Sequence, residues 1–209
     1  MKFCIYKSKF LNLWVCKNNE KLLDINKHEE KIAKSMNSQK SRQYIFSRGY
    51  VRFCLGQLFK LHPLKVPLVS EPGKPPILKN DLGFLSFSHT KDALAISWSN
   101  ERVGVDIERI DRKLKSPSLL RDFLDSERHF MSYKNNNEKI RSQILNIWVI
   151  KEALIKRECN SLANGFKNWD IDIQFLFAKN IITNEEVLTK KIIYEDWIIG
   201  LASNQINGL

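Results

Sequence analysis

The chain has 209 residues, 43% of them hydrophobic, and a formal net charge of +11. That length supports a real core in one large domain or two small ones, and no apolar run reaches the ~18 residues of a membrane span. So large a basic surplus points to a polyanionic partner (nucleic acid, an anionic membrane, a phosphorylated ligand or an acidic protein) or to lysines that only solubilise.

The opening MKFCIYKSKFLNLWVCK has lysines scattered through it and no continuous apolar stretch of a signal peptide; KFCIYK reads as a strand. Residues 26–36 read as a helix. A longer helix is expected over 41–60, with apolar rows through Tyr44, Val51, Leu55 and Leu58 and a stop at His62-Pro63. A Pro-rich connection, LVSEPGKPPIL, leads to short strands near 84–87 and 93–98, and the turn SNE leads to a strand over 103–107. The second half begins with the polar link ERIDRKLKSPS and continues through helix over 118–133, the break NNNE and a long helix over 138–159. Strands near 170–177, 191–194 and 197–202 close the chain. This is an α/β chain of the α+β kind. Cys4, Cys16, Cys54 and Cys159 are too widely spaced for a zinc pattern or a disulfide framework, so a reduced, cytoplasmic protein is expected.

Each half runs helix, connection, strands, and ends on a Trp-containing apolar strand: ALAISW at 93–98 and WIIGLA at 197–202. Division near residue 100 gives halves of 1–100 and 101–209, with the 103–107 strand close to the seam, where clefts favour ligands. In VGVDIER, Val103, Val105 and Ile107 share one strand face. Asp106 and Glu108 share the other, roughly 7 Å apart at Cα, beside Gly104, which would give a bulky ligand clearance. Two carboxylates so placed repel unless a cation lies between them, and hard oxygens suit Mg²⁺. The bland alternative is a solvated strand end paired with Arg109 or Arg112. In ILNIWVIKEALIKREC, Trp148, Glu152 and Lys156 form an i, i+4, i+8 row. Gln143, Asn146, Ala153 and Arg157 mark the polar side of this helix, which puts Glu152 on the apolar arc, where a carboxylate is costly unless paired or ligating. Basic residues add a second theme: Lys74 in a Gly-Lys-Pro turn, Ser88 and His89 at a strand end, Lys31 with Lys34, and Arg48 with Arg52. Together with three acids they describe a site for a polyphosphate and a divalent metal.

Four motifs in order, GKP at 73–75, FSHT at 87–90, GVDIE at 104–108 and WVIKEALIK at 148–156, resemble those of the larger, Sfp-like 4′-phosphopantetheinyl transferases. The resemblance implies a phosphopantetheinyl transferase fold: two similar α/β halves with pseudo-twofold symmetry, one chain acting as a monomer, and an active site at the seam. It implies transfer of 4′-phosphopantetheine from coenzyme A to a serine of an acidic acyl or peptidyl carrier protein, with Mg²⁺ (or Mn²⁺) required and adenosine 3′,5′-bisphosphate released. Asp106, Glu108 and Glu152 then correspond to metal ligands, Glu152 to the general base and Lys156 to a phosphate contact that stabilises the leaving group. Lys74, Ser88 and His89 correspond to coenzyme A contacts, Arg48 to a 3′-phosphate contact, and Lys31 and Lys34 to partners of the nucleotide end. Residues 112–130 correspond to the carrier-docking segment, with Lys113, Lys115 and Arg121 as steering charges and Glu127, behind Phe123, organising the loop. The stretch CNSLANG departs from the family's Gly-[KR]-Gly turn, and Thr90 stands where Ser is common. No nucleic acid or membrane partner is expected. The alternatives are a basic nucleic-acid-binding protein, a Mg²⁺-dependent nuclease or phosphotransferase, and a non-catalytic family member that only binds carriers.

Overall fold

Leu11–Lys17 places apolar side chains on both of its faces, and both faces are buried. In the computed structural model, which describes residues 3–112, 137–159, 165–172 and 174–206, this segment is strand β2. It lies inside a four-stranded antiparallel sheet of order β1-β2-β6-β5, with β1 at Cys4–Lys7, β5 at Phe84–His89 and β6 at Ala93–Ser99. A strand covered on both sides has no polar alternation to read, so periodicity does not reveal it.

A second antiparallel sheet runs β7-β11-β10-β9-β8. Its strands are β7 (Gly104–Arg109), β8 (Trp169–Ile171), β9 (Phe177–Asn180), β10 (Glu186–Tyr194) and β11 (Trp197–Ala202). The single strand expected over 170–177 is thus two strands. A turn separates them, closed by Phe175 N–H donating to the Asp172 carbonyl at 2.8 Å, with Phe175 at φ 59°. A two-residue pair, β3 (Leu68–Val69) and β4 (Ile77–Leu78), brackets the Pro-rich connection.

Three helices complete the described residues: α1 (Lys27–Lys34), α2 (Ser38–Phe59) and α3 (Asn137–Glu158). Their packing gives the order helix, sheet, sheet, helix. On the outside of the first sheet, Phe46, Tyr50, Val51 and Leu55 of α2 pack on Trp14, Cys16, Leu94 and Ile96. On the outside of the second, Val149, Ile150, Ala153 and Leu154 of α3 pack on Trp169, Ala178, Val187 and Ile198. Between the sheets, Leu11, Leu13, Val15 and Ala95 meet Val105, Ile107, Trp197, Ile199 and Leu201. The apolar face of VGVDIER is therefore an inter-sheet face. The fold is mixed α+β, and no helix among the described residues is long and apolar enough to cross a membrane.

Two details decide how the site is built. Arg52, grouped with Arg48 in the basic theme, is a structural residue: it is 1% exposed, makes two hydrogen bonds to the Glu29 carboxylate at 2.8 and 3.0 Å, and donates to the Val66 and Leu68 carbonyls. Such a pair, once buried, is costly to break from one side. The space beside Gly104, expected to clear a ligand, is instead filled by α3. A Cβ there would lie 1.8 Å from the Ala153 carbonyl oxygen, and one at Gly200 would lie 2.2 Å from that of Val149. Gly104 and Gly200 let the helix backbone rest directly on β7 and β11.

Gly104→Ala should therefore push α3 off the sheet, costing about 2–3 kcal/mol by overpacking and lowering Tm by roughly 5–10 °C. Gly73→Ala meets no atom within 4 Å and is strained only by its φ of 74°, so its loss should stay near 1 kcal/mol. Thermal unfolding of both variants checks the contrast, and an unchanged Tm in Gly104→Ala would contradict it.

Candidate active site

The edge strands β5 and β7 come together where Val105 N–H donates to Ser86 Oγ at 3.0 Å. Two residues further along β5, period two returns Ser88 to the face of Ser86, and the residue after Val105 on β7, Asp106, lies with Gly104 and Glu108 on the α3 face. Ser88 Oγ donates to Asp106 Oδ1 at 2.7 Å. Lys156, near the end of α3, donates from Nζ to Ser88 Oγ at 2.8 Å and to Asp106 Oδ1 at 2.7 Å. Asp106 is 3% exposed, and its Oδ2 is buried with no hydrogen-bond partner among the described residues.

Glu152 lies one helical turn before Lys156, its Oε2 3.9 Å from Nζ. Burial first, and then the charge of Asp106, push its pKa up from 4.5 to about 7, against the pull of Lys156 and Arg112. The expected polar side of this helix does not exist as a wet face. Gln143, Ala153 and Arg157 are buried as well, with Arg157 ion-paired to Glu185 at 2.9 Å, and Lys151 is fully buried, donating to the Phe166 and Trp169 carbonyls at 2.9 and 3.0 Å. What sets Glu152 apart is its weak pairing rather than its burial.

Glu108 faces elsewhere. Its Oε1 is ion-paired with the Arg112 guanidinium, which also stands 5.8 Å from the centre of the Trp148 ring. Of the three expected metal ligands, Asp106 and Glu152 meet around Lys156 while Glu108 is held by Arg112, and no group of three His, Cys, Asp or Glu among the described residues is set to hold a metal ion. Asp106 Oδ2, without a partner among the described residues, and the weakly paired Glu152 carboxyl do fit a divalent cation with hard oxygen preference. Glu108 fits one only on leaving Arg112.

A cavity of about 400 Å³ opens beside this cluster, its walls including Arg48, Lys74, Phe87, Ser88, His89 and Lys156. Arg48 is 8% exposed and stacks between Tyr44 and Phe87, 4.3 and 4.9 Å from the ring centres. It donates to Ser47 Oγ and the Ser70 carbonyl, and its Nε has no partner among the described residues. Lys74 is largely exposed and paired with Glu71 at 2.7 Å. His89 opens to the cavity. Desolvation by the surrounding protein, then the charges of Lys156 and Arg48, lower its pKa, so it is neutral at pH 7.

Lys31 and Lys34 do not line this cavity. Both are on α1, and Lys34 borders a separate cavity of about 330 Å³ with Leu22, Ile25 and Ile45. The pairing of a strand-end carboxylate with Arg112, the bland alternative from sequence, is what Glu108 shows; the reach of Arg112 to Trp148 and the Tyr44 and Phe87 walls of Arg48 are not in that reading, though the i, i+4 spacing of Tyr44 and Arg48 is a signal for the latter. Lys40 and Gln43 border a further cavity of about 170 Å³ that Arg48 and His89 also line. Lys113, Lys115, Arg121, Phe123 and Glu127 lie outside the described residues. Within CNSLANG, Cys159 ends the helix at φ 57°, and residues 160–164 lie outside the described residues.

A carboxyl whose folded pKa is raised favours the folded state only while protonated. Glu152 should therefore cost nothing below pH 4.5 and progressively destabilise the fold as pH rises from 4.5 through about 7, on the order of 3 kcal/mol at the upper end. With divalent ions chelated, the Tm of Glu152→Gln relative to the parent protein should be several degrees higher at pH 8 than at pH 5. A difference independent of pH would rule out the raised pKa.

No curated protein sequence matches the chain. Residues 102–202 match the family model ACPS, 4′-phosphopantetheinyl transferase superfamily, a span that includes Asp106, Glu108, Glu152 and Lys156.

Proposed function

We propose that this transferase moves 4′-phosphopantetheine from coenzyme A to a serine of an acyl or peptidyl carrier protein, leaving adenosine 3′,5′-bisphosphate. The observation that carries the reading is the meeting of Asp106, Ser88, Glu152 and Lys156 at the wall of a basic cavity. The superfamily match supports the reaction class, and it covers the acids and Lys156 but not Arg48, Lys74, Ser88 or His89.

The serine Oγ of the carrier attacks the phosphorus next to the pantetheine arm. That phosphorus–oxygen bond forms as the anhydride bond to the adenosine side breaks. Glu152, whose carboxyl pKa burial pushes up to about 7 in the metal-free site, accepts the serine proton, directly or through water. Lys156 Nζ holds non-bridging oxygen and offsets charge that develops on the departing phosphate. Arg48, set between two rings and with an Nε–H unpaired among the described residues, suits the terminal phosphate of the nucleotide. Neutral His89 contributes a hydrogen bond, and Lys74 a mobile charge at the rim. Asp106 and Glu152, with Glu108 once freed, would hold Mg²⁺, whose role is to neutralise the diphosphate and polarise the bond that breaks.

The lengthwise division near residue 100 belongs to the same reading. Each half lays one 22-residue helix on the outside of an antiparallel sheet, which supports two related halves within a monomer. Surplus positive charge supports an acidic carrier as partner.

Incubation with coenzyme A, Mg²⁺ and a panel of apo-carriers should raise the mass of at least one carrier by one phosphopantetheine unit. No gain on any of them would overturn the reading. Asp106→Asn and Glu152→Gln should each lower kcat/KM by about 10²-fold or more. Arg48→Met should raise the KM for coenzyme A well beyond its effect on kcat.

A further inference from the structure

Arg112 sits in the turn that ends β7, its N–H bonded to the Arg109 carbonyl at 3.0 Å. The guanidinium reaches back to Glu108 and lies against Trp148, and its charge is felt at Glu152. Lys156 neutralises the other end of the cluster through Asp106. Three carboxylates therefore meet two cations supplied by the protein itself. The two are not equally fixed. Lys156 is tied to Ser88 and Asp106 on two different strands and is the less exposed. The Arg112 side chain is 41% exposed, and among the described residues it is held by one ion pair and one ring contact.

We infer that Arg112 is an internal cation that occupies the carboxylate cluster and competes with the divalent ion, so that loading requires the guanidinium to swing off Glu108. The inference rests on the metal-dependent reading of the site and adds to it a residue that controls loading. With all three acids ionised, the cluster carries a net charge of −1 while Arg112 is in place and −2 when it leaves. The second state releases an oxygen ligand and attracts a dication more strongly. Asp106 Oδ2, buried and without a partner among the described residues, is the fixed oxygen onto which the ion would come. Arg112 thereby spares the empty cluster the repulsion of its carboxylates, and it sets a threshold of metal activity below which the site stays closed.

Mn²⁺ binding without coenzyme A, followed by the electron paramagnetic resonance of the free ion, tests the inference apart from catalysis. Arg112→Gln should bind Mn²⁺ at least about tenfold more tightly than the parent protein, with Arg112→Lys in between. Arg102→Gln, a loss of charge beyond the far end of β7, should bind as the parent does, and Asp106→Asn should lose the site. Equal affinity in Arg112→Gln and the parent, with binding still lost in Asp106→Asn, overturns the competition and leaves the metal reading standing. Equal tightening by Arg102→Gln also overturns it, since general electrostatics would then suffice. Absence of Mn²⁺ binding in every variant overturns the metal reading and this inference together.

Discussion

Helix α3 rests on bare backbone, and the chemistry of the site follows from that approach. Gly104 and Gly200 lie on the same face of neighbouring strands as Asp106, and neither leaves room for even a methyl group under the helix. With the helix so close, a side chain four residues past Glu152 can reach both Asp106 on β7 and Ser88 on β5. A larger residue at either glycine would lift the helix and open those distances. The same closeness strips water from Glu152, the main cause of its raised pKa. Fold stability and acid–base tuning thus share one contact.

The electrostatics follow a consistent pattern of internal pairing. Several charges that the fold buries have an oppositely charged protein partner: Glu29 with Arg52, Asp106 with Lys156, Arg157 with Glu185. Among the described residues, Arg48 is held by two rings, Ser47 Oγ and the Ser70 carbonyl and keeps its Nε–H unspent, and Glu152 has only a long contact to Lys156. A buried ion so loosely satisfied beside open space marks where an outside charge is expected. Both lie at one seam, Arg48 in the cavity wall and Glu152 beside Lys156, which lines the same cavity.

Much of this was legible in the sequence. The strand alternation of VGVDIER identified both faces of β7, and helical spacing placed Glu152 one turn before Lys156. What failed, failed for physical reasons. β2 is covered on both sides and has no amphipathic signature. From Gln143 to Arg157 helix α3 is buried nearly all round, so its wheel suggests a wet side that packing abolishes. Gly104 was read as space for a ligand, because sequence does not tell a gap held open for a substrate from one filled by a neighbouring helix. Arg52 and Arg48 share a helix face, yet one is a structural tie and the other a cavity wall, and only the position of Glu29 separates them. Lys31 and Lys34 share a helix face three residues apart, but that spacing does not say which cavity the face meets, and Lys34 borders a different one.

The site draws on both sheets, so its geometry depends on how rigidly they are joined. Apolar packing between Leu13, Val15 and Ala95 on one side and Val105, Ile107 and Ile199 on the other fixes their separation, but packing alone is not directional. Orientation comes from polar ties at the edge. Asp92, in the turn after β5, accepts from Thr90 Oγ1 and Trp197 Nε1 and pairs with Arg109 at the end of β7. Thr90, the residue that departs from the common Ser, thereby belongs to this clamp, and a threonine hydroxyl serves it as well as a serine would. The clamp stands a few residues from Ser88 and His89 on one strand and from Asp106 on the other. It holds the basic wall of the cavity against the acidic cluster, a separation that one sheet could not have set by itself.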